Sequence, residues 1–321
     1  MELSILLPIA ARRNEQLLPF AALVEWTHAR RLWQGQALLP DTFQSFTAAA
    51  AAGFRVPSAI GVALTPLRHP FALAHEAATV ASATGHEVLL GIGPGARNFQ
   101  LSMLGSPYPS PLNAIREYHS VLRGLFNGDT VTVAGEYFTC HGALARLPTP
   151  PVLVGFGVLR PRMAELAGEL ADFVCTWLTP PSYLDHELRN SITSGMKVGN
   201  RTIRPRVVAM TPFAVARDGR DQRELVLISN AAHLGAPPYQ DMLKKAGVDV
   251  DRGRDRLVDG VLDSRAFCYG RSEEIVEQLA AYERAGVDEL VLNATGVASK
   301  FGAHAAIEDL REVLTRWSER A

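Results

Sequence analysis

The residues that could do chemistry here are few, and they are weak acids and bases. Gln34 and Gln36 follow the second expected strand, Cys175 and Trp177 follow the sixth, and Asn293 follows the last. In a parallel α/β chain these strand ends are the default place for catalysis. Side chains of these types bind and orient a ligand rather than ionise near neutral pH. On position alone the catalytic candidates are Gln36, His69, Tyr108 and Trp177. His69 stands in RHP beside a helix start, where a histidine commonly makes local bonds, and Tyr108 and Trp177 are suited to lining an apolar pocket or stacking on substrate. His119 and His141 are weaker candidates. No HExxH spacing marks a metal site, and Glu117 and Glu165 read as exposed helix charges. Cys140, Cys175 and Cys268 form no CxxC pair, which argues against a disulfide framework or a zinc site.

Glycine gives a second signal. In GVALTP, Gly61 and Val62 begin a run of small residues through which a ring system could lie against the backbone. Gly93, Pro94 and Gly95 end another strand and leave its backbone open to close approach by a planar ligand. Gly155, Phe156, Gly157 and Val158 precede a helix, where free amides and the positive dipole end suit a phosphate. Arg160 and Arg162 would add charge-assisted bonds there.

The elements that must position these residues follow a βα rhythm. Strands are expected at 3–7, 32–34, 60–64, 87–93, 151–157, 172–177, 207–216 and 289–294. Helices are expected between them, including 41–52 with Asp41 as N-cap and 113–126 with an apolar stripe at Ile115, Tyr118, Val121, Leu122 and Leu125. The segment at 94–112 reads as a Gly/Pro loop. DTVTVAGEYF alternates around Ala134 and Gly135 and reads as an inserted β-hairpin. Eight strands preceding helices match a (β/α)8 TIM barrel. The competing doubly wound sheet would place a GxGxxG after strand one, which instead ends in Pro8. A single domain over 1–321 is expected, with a helical elaboration at about 194–264 before the last strand.

Composition excludes other classes. Lys plus Arg number 32 against 33 acidic residues, and no basic stripe interleaves with aromatics, so a nucleic-acid partner is not expected. Apolar residues make up 47% of the chain, enough for a large core, yet Gly, Pro or charge interrupts each apolar run before it reaches membrane-spanning length. A cytoplasmic enzyme is expected, with neither membrane nor nucleic-acid partner.

Four segments together resemble the luciferase-like oxidoreductase superfamily, in particular its branch using coenzyme F420. They are GVALTPLRHP (61–70), LLGIGPG (89–95), PVLVGFGVLRPRMAELAGELAD (151–172) and AYERAGVDELVL (281–292). The resemblance implies a cis peptide at Gly61–Val62, a ring system lined by Gly93–Gly95, and a phosphate near Gly155–Val158 with Arg162 the better placed arginine. It implies F420 as cofactor, with FMN as the alternative, hydride transfer to or from a small organic substrate, and pairing of two copies as a homodimer. A reduced-FMN monooxygenase and a non-catalytic flavin-binding relative are the competing functions. The sequence departs from the family pattern at LWQGQALL (32–39), where relatives carry an Asp-His pair and this chain has Gln36 and Ala37, and at Ser110, where relatives carry a basic residue. The altered pocket suggests a specialised role such as natural-product tailoring.

Overall fold

The computed structural model describes residues 1–36, 38–145 and 148–320. Ala37, one of the two substituted positions after strand two, lies outside them.

Eight parallel strands close into a barrel. They are β1 (Glu2–Leu6), β2 (Leu32–Gln34), β3 (Ser58–Leu64), β4 (Val88–Gly93), β7 (Val152–Gly157), β8 (Phe173–Trp177), β9 (Arg206–Val215) and β11 (Glu289–Asn293), and the circuit closes where β11 pairs with β1. The inserted hairpin is present as β5 (Val131–Ala134) and β6 (Thr139–Gly142), antiparallel as expected. One short strand exceeds the expected set. β10 (Cys268–Gly270) pairs with the last three residues of β9, 213–215, beyond the stretch that β11 covers. β9 has ten residues, which is why it serves two neighbours.

Helices cover the outside. The first five are α1 (Leu18–Trp26), α2 (Thr42–Ala51), α3 (Pro70–Thr84), α4 (Arg97–Leu104) and α5 (Pro111–Asn127). α6 (Pro161–Leu170) follows, then α7 (Pro181–Tyr183), a π-helical turn at Leu184–Leu188, and α8 (Arg189–Val198). α9 (Gln222–Leu234), α10 (Pro237–Lys245) and α11 (Arg254–Asp263) form the added helical part, and α12 (Ser272–Arg284) and α13 (Thr295–Ser318) finish the ring. The barrel strand β9 thus lies inside the 194–264 range, and the addition proper starts at Gln222. α4 occupies part of the segment read as a loop. Asp41 caps α2 as expected, accepting from the Phe43 and Gln44 amides at 2.9 and 3.2 Å. The apolar stripe of α5 is buried, each of its five side chains at 2% exposure or less, so burial stabilises that helix by roughly 1.5–3 kcal/mol per large side chain. Among the described residues no helix is long and apolar enough to cross a membrane.

The amino end of the barrel is plugged by charge. Glu289 and Arg31 are both fully buried, 3.2 Å apart. Glu289 also accepts from Ser4 Oγ at 2.7 Å and from Trp33 Nε1 at 2.6 Å. Burial lowers the Arg31 pKa and the Glu289 carboxylate opposes that shift. Function therefore has to lie at the other end.

Candidate cofactor and substrate site

Alternate strand residues face inward. Trp33, Leu89, Phe173, Cys175 and Met210 fill the middle of the barrel, all at 5% exposure or less. Above them, at the carboxyl ends, the inward positions become small on one side: Gly61 and Val62 on β3, Gly93 on β4, Gly157 on β7. Trp177 on β8 and Asn293 on β11 complete the rim.

β3 shapes this mouth. Its register with β4 slips between Ile60 and Ala63, and the Gly61–Val62 peptide is cis, as the resemblance implies. The bulge lifts Val62 over the barrel centre. A Cβ on Gly91, Gly93 or Gly157 would stand 3.2, 2.9 or 3.0 Å from the Val62 methyls, so those glycines make room for Val62. Gly61 and Val62 stay partly exposed, as do Pro94, Gly95, Gly157 and Trp177, while the interior beneath is sealed. The result is a flat, partly apolar floor at the open end of the barrel.

The other sequence candidates divide. Gly155 is required by packing, since a Cβ there would lie 2.5 Å from the Phe173 ring. Phe156 is fully buried, edge-on to His119 at 5.3 Å, and Val158 is buried with its amide donating to the Cys175 carbonyl at 2.8 Å. Only Gly157 of that group meets Val62 at the mouth. Arg160, the N-cap of α6, makes no side-chain cap bond and pairs instead with Asp241 at 3.4 Å. Arg162 is exposed on the first turn of α6.

His69 is exposed and structural. Its Nδ1 accepts from the Phe71 amide at 3.2 Å, capping α3, and its Nε2 lies 2.8 Å from the Thr139 carbonyl of the hairpin. Gln36 accepts from Arg68 Nη1 at 2.7 Å, and Arg68 also pairs with Asp41 and Glu76. Tyr108 is buried with its hydroxyl 3.3 Å from Thr65 Oγ1, and burial raises its pKa, which keeps the phenol protonated. Tyr108, Thr65, Arg68 and Phe138 line a cavity of about 490 Å³ beside the mouth. Burial pushes the thiols of Cys175 and Cys268 up to about 12, so neither is a thiolate near neutrality.

The barrel has counterparts among known proteins. Residues 1–289 match the luciferase-like monooxygenase family. The chain belongs to that family. The match bears out the resemblance, the barrel and the oxidoreductase class expected from sequence. A 5,10-methylenetetrahydromethanopterin reductase of Methanolobus tindarius is 24% identical over 209 residues, 65% of this chain and 64% of the relative. The chain therefore aligns with somewhat less than two thirds of that relative's length. An F420-dependent glucose-6-phosphate dehydrogenase of Beutenbergia cavernae is 27% identical over 252 residues, 77% of this chain and 74% of that one. Among solved structures, the coenzyme F420 dependent tetrahydromethanopterin reductase of Methanopyrus kandleri superposes with a TM-score of 0.78 at 20% identity, covering 99% of this chain and 100% of that one.

Sequence reasoning missed several residues of this luciferase-like mouth. Gln100 on α4 bonds the Gly95 carbonyl at 2.9 Å and accepts from the Tyr108 amide at 3.0 Å, tying two candidate loops together. Arg68 was hidden because nothing in TPLRHP announces its three partners. His233 on α9 lies over Trp177, ring centroids 5.3 Å apart and 35° between planes, and Tyr239 on α10 meets His233 edge-on at 4.9 Å. A histidine in a helix 56 positions after Trp177 carries no local signal.

Proposed function

We propose that the protein is an F420-dependent oxidoreductase that moves a hydride between the deazaflavin and an organic substrate. The observation that carries this reading is the partly exposed floor at Gly61–Val62, ringed by Gly93 and Gly157, at the open carboxyl end of the barrel above a sealed interior. The names of the curated relatives support the choice of deazaflavin.

The residues present fit a flat ring system. Val62 would back it on one side, and Gly93, Pro94 and Gly95 would border it. At the edge, the indole N–H of Trp177 and the side-chain NH2 of Asn293 are buried and have no hydrogen-bond partner among the described residues, as expected of groups reserved for a ligand. The uncapped first turn of α6, with Gly157 before it and exposed Arg162 on it, suits the anionic tail. When bound, the deazaflavin supplies the two-electron chemistry. The chain's own part is to orient the substrate, hold the ring and keep water out. Gln36, locked to Arg68, belongs to the wall rather than to proton transfer.

The substitutions at Gln36 and Ala37 support a specialised substrate, in keeping with tailoring of a natural product. Pairing of two copies is part of the same reading, and light scattering that returns the mass of one chain at micromolar concentration would remove it. The family's own description as monooxygenases favours FMN as the second reading. Titration with F420 and with FMN, followed by quenching of tryptophan fluorescence, separates them. F420 binding is expected, and tight FMN binding without F420 binding overturns the proposal. Stopped-flow oxidation of reduced F420 by candidate acceptors then tests turnover. A protein that binds F420 and never reoxidises it is a binding relative and not an enzyme of this kind.

A further inference from the structure

The polar wall of the mouth is neutral, and its polar atoms have no partner among the described residues. Trp177 Nε1, His233 Nδ1 and Asn293 Nδ2 are each buried and make no hydrogen bond with any described residue. Asn293 is 1% exposed, with its Oδ1 occupied by the Thr295 amide at 2.9 Å, which turns the NH2 away from the helix start. Trp177 packs on the interior residues of β8, and Asn293 shares the inward side of β11 with Val291. β9 lies between them, pairing Met210 with Trp177 and Pro212 with Asn293, so all three strands face one sector. His233 roofs that sector from the added helices.

Such a set selects by chemistry. The indole N–H and the amide NH2 only donate, and burial lowers the His233 pKa, so its imidazole is neutral, one ring nitrogen donating and the other accepting. Neutral donors in an apolar setting recognise an acceptor oxygen that brings no charge needing a counterion. Three cations on the loops and helices at this end of the barrel are paired: Arg160 with Asp241, Lys300 with Glu224, and Arg220 with Asp309. A phosphate dianion set against Trp177, His233 and Asn293 would lose its hydration and find no cation among the three.

We propose that Trp177, His233 and Asn293 form the substrate-binding wall and that it takes an uncharged carbonyl compound, a ketone or aldehyde, rather than a sugar phosphate. This rests on the F420 reading above, because it places the carbonyl over the same floor. Tyr239 holds the His233 ring edge-on, and α9 and α10 set how large a carbonyl compound the wall admits.

Saturation-transfer NMR on the full chain, with cyclohexanone and glucose 6-phosphate as probes and with F420 present and absent, tests it. Cyclohexanone is expected to bind and glucose 6-phosphate to give no signal at equal concentration. His233→Phe keeps an aromatic ring over Trp177 and removes the nitrogen, and Trp177→Phe removes the indole N–H. Each is expected to weaken cyclohexanone at least fivefold while the urea midpoint stays close to that of wild type, which certifies folding. Tighter binding of glucose 6-phosphate than of cyclohexanone, or unchanged cyclohexanone binding in both variants, overturns the proposal. If cyclohexanone binds the wall and F420 does not bind at all, the carbonyl wall stands and the cofactor reading fails.

Discussion

At the scale of single residues, glycines that look alike in sequence have different reasons to be glycine. A Cβ on Gly93 or Gly157 meets the Val62 methyls at 2.9 or 3.0 Å, a side chain that can shift at the open mouth. A Cβ on Gly155 meets several atoms of the Phe173 ring at 2.5 Å, deep in a sealed interior. Gly93→Ala is therefore expected to leave the urea midpoint nearly unchanged and weaken F420 at least tenfold by displacing Val62. Gly155→Ala is expected to destabilise the fold by about 1–3 kcal/mol, the usual range for overpacking. Equal loss of stability in both would refute the distinction. His119 adds a pH dependence. Burial first, then Arg123, lowers its pKa to about 3, so the native state keeps it neutral while an unfolded chain protonates it near 6.5. Its contribution is present above about pH 6.5 and is lost as pH falls toward 3. Between pH 6.5 and 5 that amounts to about 2 kcal/mol at most, from roughly 1.4 kcal/mol per pH unit. His119→Gln should flatten this part of the stability curve measured by urea unfolding, and an unaltered slope would assign the acid sensitivity elsewhere.

At the scale of elements, α6 and α8 pack with their backbones in contact. A Cβ on Gly195 would collide with the Glu165 carbonyl oxygen, and one on Gly168 with the Ile192 carbonyl. Because the obstacle is main chain, neither helix can relax by turning a side chain. Gly195→Ala is expected to push α8 outward and destabilise by about 2 kcal/mol or more, within the range for overpacked sites. It should also weaken F420, since α6 carries the turn assigned to the anionic tail, and unchanged affinity with lost stability would detach α6 from the site. The sequence made most elements legible, because alternation and the α5 stripe follow from burial on one face or both. Three things escaped for physical reasons. α4 leaves Leu101, Met103 and Leu104 exposed, so no apolar stripe marks it. β10 is a strand only through its pairing with the far end of β9, a tertiary contact that local pattern does not announce. The link between His233 and Trp177 is made by tertiary packing across the added helices, for which spacing holds no record. Of the site, the glycine rim and the cis position could be read through the family resemblance, whereas the neutral donor wall depended on knowing which buried atoms lack partners.

At the scale of the whole molecule, the barrel separates a charged, closed amino end from a neutral, open carboxyl end, and the two should fail independently. Glu289 on β11 binds Ser4 of β1, Arg31 just before β2, Trp33 of β2, and Arg206 of β9 at 3.4 Å, so one carboxylate gathers four of the eight strands. Removing it would leave Arg31, with two guanidinium nitrogens already unbonded, facing only Glu87 at 3.6 Å in a site with no solvent access. An uncompensated buried charge of this sort costs about 3–5 kcal/mol. Glu289→Ala is thus expected to lower the urea midpoint strongly, and Glu289→Gln, which keeps an acceptor for Trp33 but not the charge, less so. The strands that carry Val62, Gly93 and Trp177 span the barrel between that plug and the mouth, and Trp33, which packs beside Gly61, is also held edge-on by Phe173 and is expected to keep its place in both variants. F420 affinity, measured below the unfolding transition, should remain within twofold of wild type in both variants. A large drop in affinity with the fold intact would mean that the plug sets the position of the mouth through the strands, and the division of the barrel into a stabilising end and a binding end would have to be abandoned.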